Sequence, residues 1–103
     1  MKLSGRVLVT ELPELGRLRA LAASIIEGGL LVGLGTREDV YEARGECADL
    51  DHVMFVEGSR DEIPWAEGWF DVIVDPEPES PTPEMRRVLR SGGMVVGQRS
   101  GES

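Results

Sequence analysis

Two runs decide the fold class: Ile63-Pro64-Trp65-Ala66-Glu67-Gly68-Trp69-Phe70-Asp71-Val72-Ile73-Val74-Asp75 and, after a proline-rich link, Pro83-Glu84-Met85-Arg86-Arg87-Val88-Leu89-Arg90-Ser91-Gly92-Gly93-Met94-Val95-Val96. Phe70 to Val74 is mostly apolar without strict alternation, the pattern of a strand covered on both faces. Asp75-Pro76 opens a link in which Pro76, Pro78, Pro81 and Pro83 keep the chain extended, so a stiff surface connector is expected. Thr82 can cap and Pro83 can open a helix from Glu84 to Arg90, with Met85, Val88 and Leu89 buried and Arg86, Arg87 and Arg90 facing water. Gly92-Gly93 reads as the helix stop, and Met94-Val95-Val96 as another buried strand.

Upstream, the same alternation repeats. Arg6 to Thr10 is a first buried strand, followed from Pro13 by a helix with Leu15, Leu18, Leu21, Ala22, Ile25 and Ile26 on one face and a stop at Gly28-Gly29. Leu30 to Leu34 is a second strand. Arg37 to Arg44 is a short helix ending at Gly45, and His52 to Val56 is a third strand. The crossing from Ser59 to Gly68 is expected to be irregular, because Pro64 and Gly68 interrupt any helix longer than a turn. Strand-helix alternation of this kind predicts a three-layer α/β domain, a parallel sheet with right-handed crossovers and helices on both faces. In such a sheet ligands bind beyond the carboxyl ends of the strands, where the strand order reverses.

The totals bound the possibilities. A chain of 103 residues has room for one domain over 1–103, with 99–103 expected to be a flexible tail. Met1-Lys2-Leu3-Ser4-Gly5-Arg6 leads into a strand without the apolar region of a signal peptide, and no run is long enough to span a membrane, so a cytoplasmic protein is expected. Cys47 and His52 are the single cysteine and histidine, which excludes an internal disulfide and a His/Cys metal cluster within one chain. A net charge of -8 opposes binding to nucleic acid.

Glu57-Gly58-Ser59-Arg60-Asp61-Glu62-Ile63-Pro64-Trp65-Ala66-Glu67-Gly68-Trp69-Phe70-Asp71-Val72-Ile73 resembles the "gDa..lPf.dgsFDvV" motif of Rossmann-like S-adenosylmethionine-dependent methyltransferases, specifically those of the type 11 kind. Glu84 to Gly93 is similar to the "e..RvLkpGG" motif that follows it there, and Ala43-Arg44 fixes the register of the second strand. The resemblance covers about half of the chain and implies a Rossmann-like sheet of strand order 3-2-1-4-5. It also implies three cofactor positions. The glycine-rich turn after strand one corresponds to Val9 to Gly16, where either Val9 or Glu11 can be set on the family's acid and only Gly16 can stand for a glycine. The ribose-binding acid at the end of strand two corresponds to Gly35, which has no side chain to accept those bonds. The adenine-binding Asp corresponds to Ser59, flanked by Arg60. Glu11, Gly16, Gly35, Ser59 and Arg60 are therefore expected to be vestigial positions, with no cofactor bound, no catalytic residue and no metal.

The family sheet continues past strand five with a helix and strands six and seven, whereas this chain ends shortly after Val96. An uncovered outer strand invites pairing, so a homo-oligomer or a protein partner on the strand four and five side is expected. The leading expectation is a non-catalytic interaction or assembly module of truncated methyltransferase type. The alternative is a small active methyltransferase that binds S-adenosylmethionine atypically or completes its site from a second subunit.

Single residues support the blander readings. Asp75-Pro76 is similar to the Asp/Asn-Pro-Pro-aromatic turn of amino-group methyltransferases but lacks the aromatic residue, so the connector explains it. Trp65 and Trp69 are expected to pack rather than stack on a ligand, and Glu57, Asp61 and Glu62 to be a solvated acidic turn. A phosphorelay receiver domain has similar alternation, but it needs an Asp after strand three and a Lys after strand five, where this chain has Glu57 and Gln98-Arg99.

Overall fold

Val7, Leu8 and Val9 have no solvent contact, and the strand that they form, β1 (Arg6–Val9), lies in the middle of the sheet. The computed structural model describes residues 3–25 and 27–97. After β1 come α1 (Leu15–Ala23), β2 (Leu30–Gly35), α2 (Arg37–Glu46), β3 (Val53–Glu57), β4 (Phe70–Asp75), α3 (Pro83–Val88) and β5 (Leu89–Gly97). All pairings are parallel and the strand order is β3-β2-β1-β4-β5, as the sequence predicts. Ile26 and the expected tail 99–103 lie outside the described residues.

Two apolar layers sandwich the sheet. On the first face, Val7, Val9, Leu31, Phe55 and Val74 pack under α1 (Leu18, Ala22) and α2 (Val40, Ala43), with Cys47 just beyond. On the second, Leu8, Val32, Leu34 and Ile73 pack under Met85 and Val88 of α3 and under Ile63. Trp65, Trp69 and Phe70 close that layer, with ring centroids 5.0 to 5.7 Å apart, so both tryptophans pack as expected. Among the described residues no helix is long and apolar enough to cross a membrane.

Several boundaries differ from the sequence reading, each for a local reason. α1 stops at Ala23 rather than at Gly28-Gly29, because Ile25 leaves the helix to bridge Leu3. α2 runs through Gly45 to Glu46, which brings Cys47 into the core. α3 ends at Val88, since Leu89 is already extended (φ -82°, ψ 130°) and pairs with Phe70. Gly92-Gly93 is thus not a helix stop. Residues 90–93 stand opposite Asp71 in a bulge, between the Phe70–Leu89 and Val72–Met94 pairs. Gly92 supplies the positive φ of 85° there, and a Cβ on Gly93 would sit 2.8 Å from the Asp71 carbonyl oxygen.

The face assigned to the arginines also needs correction. Arg86 is exposed, but Arg87 is half-buried: it pairs with Glu84 at 2.8 Å and donates to the carbonyls of Trp65 and Ile63, each at 2.8 Å. Arg90 belongs to β5 and pairs with Asp71. These contacts fasten the irregular crossing from Ser59 to Gly68 onto α3.

Candidate functional site

β1 leads to α1 on the first face of the sheet and β4 leads to α3 on the second. The chain therefore diverges between their carboxyl ends, where open α/β sheets place their ligand crevice. The centre of that crevice is the carboxylate of Asp75, at 0% exposure. Arg60 grips it through two atoms, Nη2 to Oδ2 at 2.9 Å and Nε to Oδ1 at 3.2 Å. Thr10 donates its hydroxyl to Oδ1, and the backbone N–H of Glu77 donates to Oδ2 at 2.8 Å. Burial by itself would push the Asp75 carboxyl up, but the bonds from Arg60, Thr10 and Glu77 outweigh it and hold the group below the usual carboxylate range.

The turn after β1 folds toward β2 instead of cradling an open space. The Leu12 N–H donates to the carbonyl of Leu34 at 3.2 Å, which carries the Leu12 side chain over the two glycines at the end of β2. A Cβ on Gly33 would lie 2.6 Å from Leu12 Cδ2, and one on Gly35 would lie 3.0 Å from Leu12 Cδ1. Gly33 and Gly35 are what let the leucine settle there. Beyond it, between α1 and α2, lies a groove of about 240 Å³ lined by Leu12, Leu15, Leu18, Glu14, Asp39 and Glu42. That is smaller than the ~300 Å³ at which small-molecule sites begin, and its carboxylates disfavour an anionic ligand group.

The positions singled out in the sequence fall as follows. Gly35 ends β2, half-buried beneath Leu12. Glu11 is exposed in the turn. Gly16 lies within α1, exposed, with only the Glu14 carboxylate near its missing side chain, so it shapes no loop. Ser59 closes a tight turn: its N–H and carbonyl both bond Glu62, and its hydroxyl accepts from the Asp61 N–H at 3.3 Å. Arg60 alone among them reaches the centre. Glu57, Asp61 and Glu62 are exposed, in keeping with a solvated turn.

No family model matches the sequence, and no curated protein matches it significantly. Solved structures do. A protein of Methanococcus maripaludis provisionally classed as an S-adenosylmethionine-dependent methyltransferase superposes with a TM-score of 0.69 at 24% identity, over 91% of this chain and 48% of that one. The fold is that of S-adenosylmethionine-dependent methyltransferases. Geranyl diphosphate methyltransferase, in its complex with GPP and sinefungin, matches with a TM-score of 0.73 at 16% identity, over 94% of this chain and 39% of that one. A methyltransferase of Aquifex aeolicus matches at 0.61 and 20%, over 84% and 50%. The chain spans half or less of the length of these structures.

Within this methyltransferase-like fold, sequence reasoning placed Asp75 in the surface connector, and the structure corrects that by burying it. The signal was present. Asp75 closes the run Phe70 to Val74, and Arg60 is the only arginine or lysine between Arg44 and Arg86. A carboxylate buried at the end of that strand needs a cation, and that stretch offers only one. Thr10, the third member, is the residue that follows β1. Among the described residues no group of three or more His, Cys, Asp or Glu side chains is placed to hold a metal ion.

Proposed function

We propose that this domain is a methyltransferase-like scaffold that binds no methyl donor and works by assembling with other protein chains. The observation that carries the first half is that the crevice is filled by the chain's own side chains. Leu12 covers the end of β2, where the resemblance places a ribose, and Arg60 closes over Asp75. Gly35 offers no acceptor for ribose hydroxyls, and an acidic residue built there would first meet Leu12 and Asp39. These residues do not fit S-adenosylmethionine. Calorimetric titration with S-adenosylhomocysteine tests this directly: no heat at millimolar ligand is expected, and micromolar affinity would establish the alternative, an active enzyme with an atypical site.

The second half rests on the opposite edge of the sheet. β5 pairs with β4 and, among the described residues, with no other strand, so its outer edge presents unpaired backbone groups. Met94 stands 57% exposed beside half-buried Val72 and Val96, which pack against the margin of the first apolar layer. An apolar stripe bordering an open edge suits a protein partner, including a second copy. Light scattering over micromolar concentrations should show association that Met94→Lys weakens; a concentration-independent monomer would remove this half of the reading.

A further inference from the structure

We propose that the crevice between β1 and β4 is a guanidinium-binding site whose ligand is the chain's own Arg60. A carboxylate offers about four acceptor directions, and at Asp75 all four are taken: Oδ1 by Arg60 Nε and Thr10, Oδ2 by Arg60 Nη2 and the Glu77 N–H. The pairing is fork to fork, a geometry that a planar guanidinium satisfies and a single ammonium does not. Arg60 Nη2 also donates to the Ser80 carbonyl at 2.8 Å and approaches that of Glu77 at 3.5 Å. Thr82, the cap of α3, donates its hydroxyl back to the Arg60 carbonyl. One side chain therefore gathers the turn after β3, the end of β4 and the proline link up to α3.

The residues meeting Arg60 form a receptor in their own right. It has a carboxylate at 0% exposure, a hydroxyl that orients it and carbonyl oxygens around the rim. The Arg60 side chain is 27% exposed, so shortening it opens a path by which a small molecule can reach the Asp75 carboxylate. The backbone N–H of Glu77 and the hydroxyl of Thr10 belong to other residues and remain in place. What Arg60→Ala removes is the ligand, and what it leaves is a buried carboxylate shaped for one.

The test is chemical complementation followed by thermal unfolding, with methylguanidinium as the probe and methylammonium as its control at matched ionic strength. Arg60→Ala is expected to lower Tm by roughly 15 °C or more, because it strands a buried charge. Millimolar methylguanidinium should recover part of that loss, methylammonium should recover less, and neither should raise the wild type or the double variant Arg60→Ala/Asp75→Asn. An unchanged Tm for Arg60→Ala, equal rescue by both cations, or an equal rise in the double variant overturns the proposal. Should Arg60→Ala not fold alone, refolding in methylguanidinium replaces the melt: recovery of folded protein supports the site and no recovery overturns it. Neither probe is a methyl donor, so the result stands independently of the titration with S-adenosylhomocysteine.

Discussion

β4 carries one aspartate just after its start and another as its last residue, and the two teach different lessons about the same residue type. Asp71 sits by the β5 bulge with its side chain 29% exposed, accepting the Arg6 N–H at 2.8 Å and pairing with Arg90, which is itself half in water. Its carboxyl is held below the usual range chiefly by the Arg6 N–H, against a smaller opposing effect of burial and with help from Arg90. Asp75, four residues on, has no exposure, and there burial is the largest influence and is overcome only by several donors together. The shift has the same sign at both ends. At Asp71 water can replace a lost partner; at Asp75 it cannot, and the ion pair becomes a condition of closing the crevice.

That contrast predicts a much larger effect at Asp75 than at Asp71. Asp75→Asn keeps the shape but removes the charge and sets an amide donor against the donors at one oxygen, leaving Arg60 with neutral acceptors and with Glu77, whose carboxylate is 3.9 Å away. Breaking a buried pair costs about 3 to 5 kcal/mol. The low end of that range applies, because Arg60 reaches solvent, and it corresponds to a fall in Tm of more than 10 °C for a domain of this size. The loss should be smaller than for Arg60→Ala, which strands the buried partner instead of the exposed one. Acid supplies a second reading. Since the folded pKa of Asp75 lies below its unfolded value of about 3.9, its contribution is complete above that value and fades as pH falls through the folded pKa. The gap in Tm between wild type and Asp75→Asn should therefore be widest near neutrality and narrow below about pH 4. A gap that stays constant into acid would show that the variant's cost is packing and not charge.

The same contrast shows how much the sequence discloses. Parallel strands and two-sided burial were legible in apolar runs such as Val7 to Val9 and Phe70 to Val74 alternating with helices, the irregular crossing in Pro64 and Gly68, and the strand order in what the resemblance implies. Leu12 as an obstruction was only partly legible: it lies in the turn that the resemblance makes glycine-rich, but its seat over Gly33 and Gly35 depends on the Leu12–Leu34 backbone bond. The Gly92-Gly93 bulge was not. After a helix a glycine pair reads as a stop, and only pairing with β4 shows that residues 90–93 must loop opposite Asp71. Arg87 was misread because helical spacing describes one helix, while its partners are the carbonyls of Ile63 and Trp65 in another segment. Arg60 and Asp75 are fifteen residues apart across a change of face. No local pattern links them, and only the chemical demand of a buried carboxylate does.

The smallest effect is expected at Asp71, and it sharpens the comparison most. Asp71→Asn can keep its oxygen on the Arg6 N–H, but its amide then turns a donor toward Arg90, so the charge and the hydrogen bond shared with Arg90 are both given up. Exposed pairs of this kind contribute about 0.2 to 1 kcal/mol, so Tm should fall by no more than a few degrees. Added salt should shrink even that difference, because the pair is open to solvent screening, whereas salt should leave most of the Asp75→Asn loss intact. The substitution should also be tolerated sterically, since Asn has nearly the same volume as Asp and Gly5, whose missing side chain makes room for the carboxylate, is unchanged. A loss at Asp71 as large as that at Asp75 would mean that the bulge, with Arg6 resting 4.4 Å from the centre of the Trp69 ring, is as rigidly determined as the crevice. The distinction between a replaceable and an obligatory partner would then have to be drawn from the aromatic packing around Trp69 instead of from exposure.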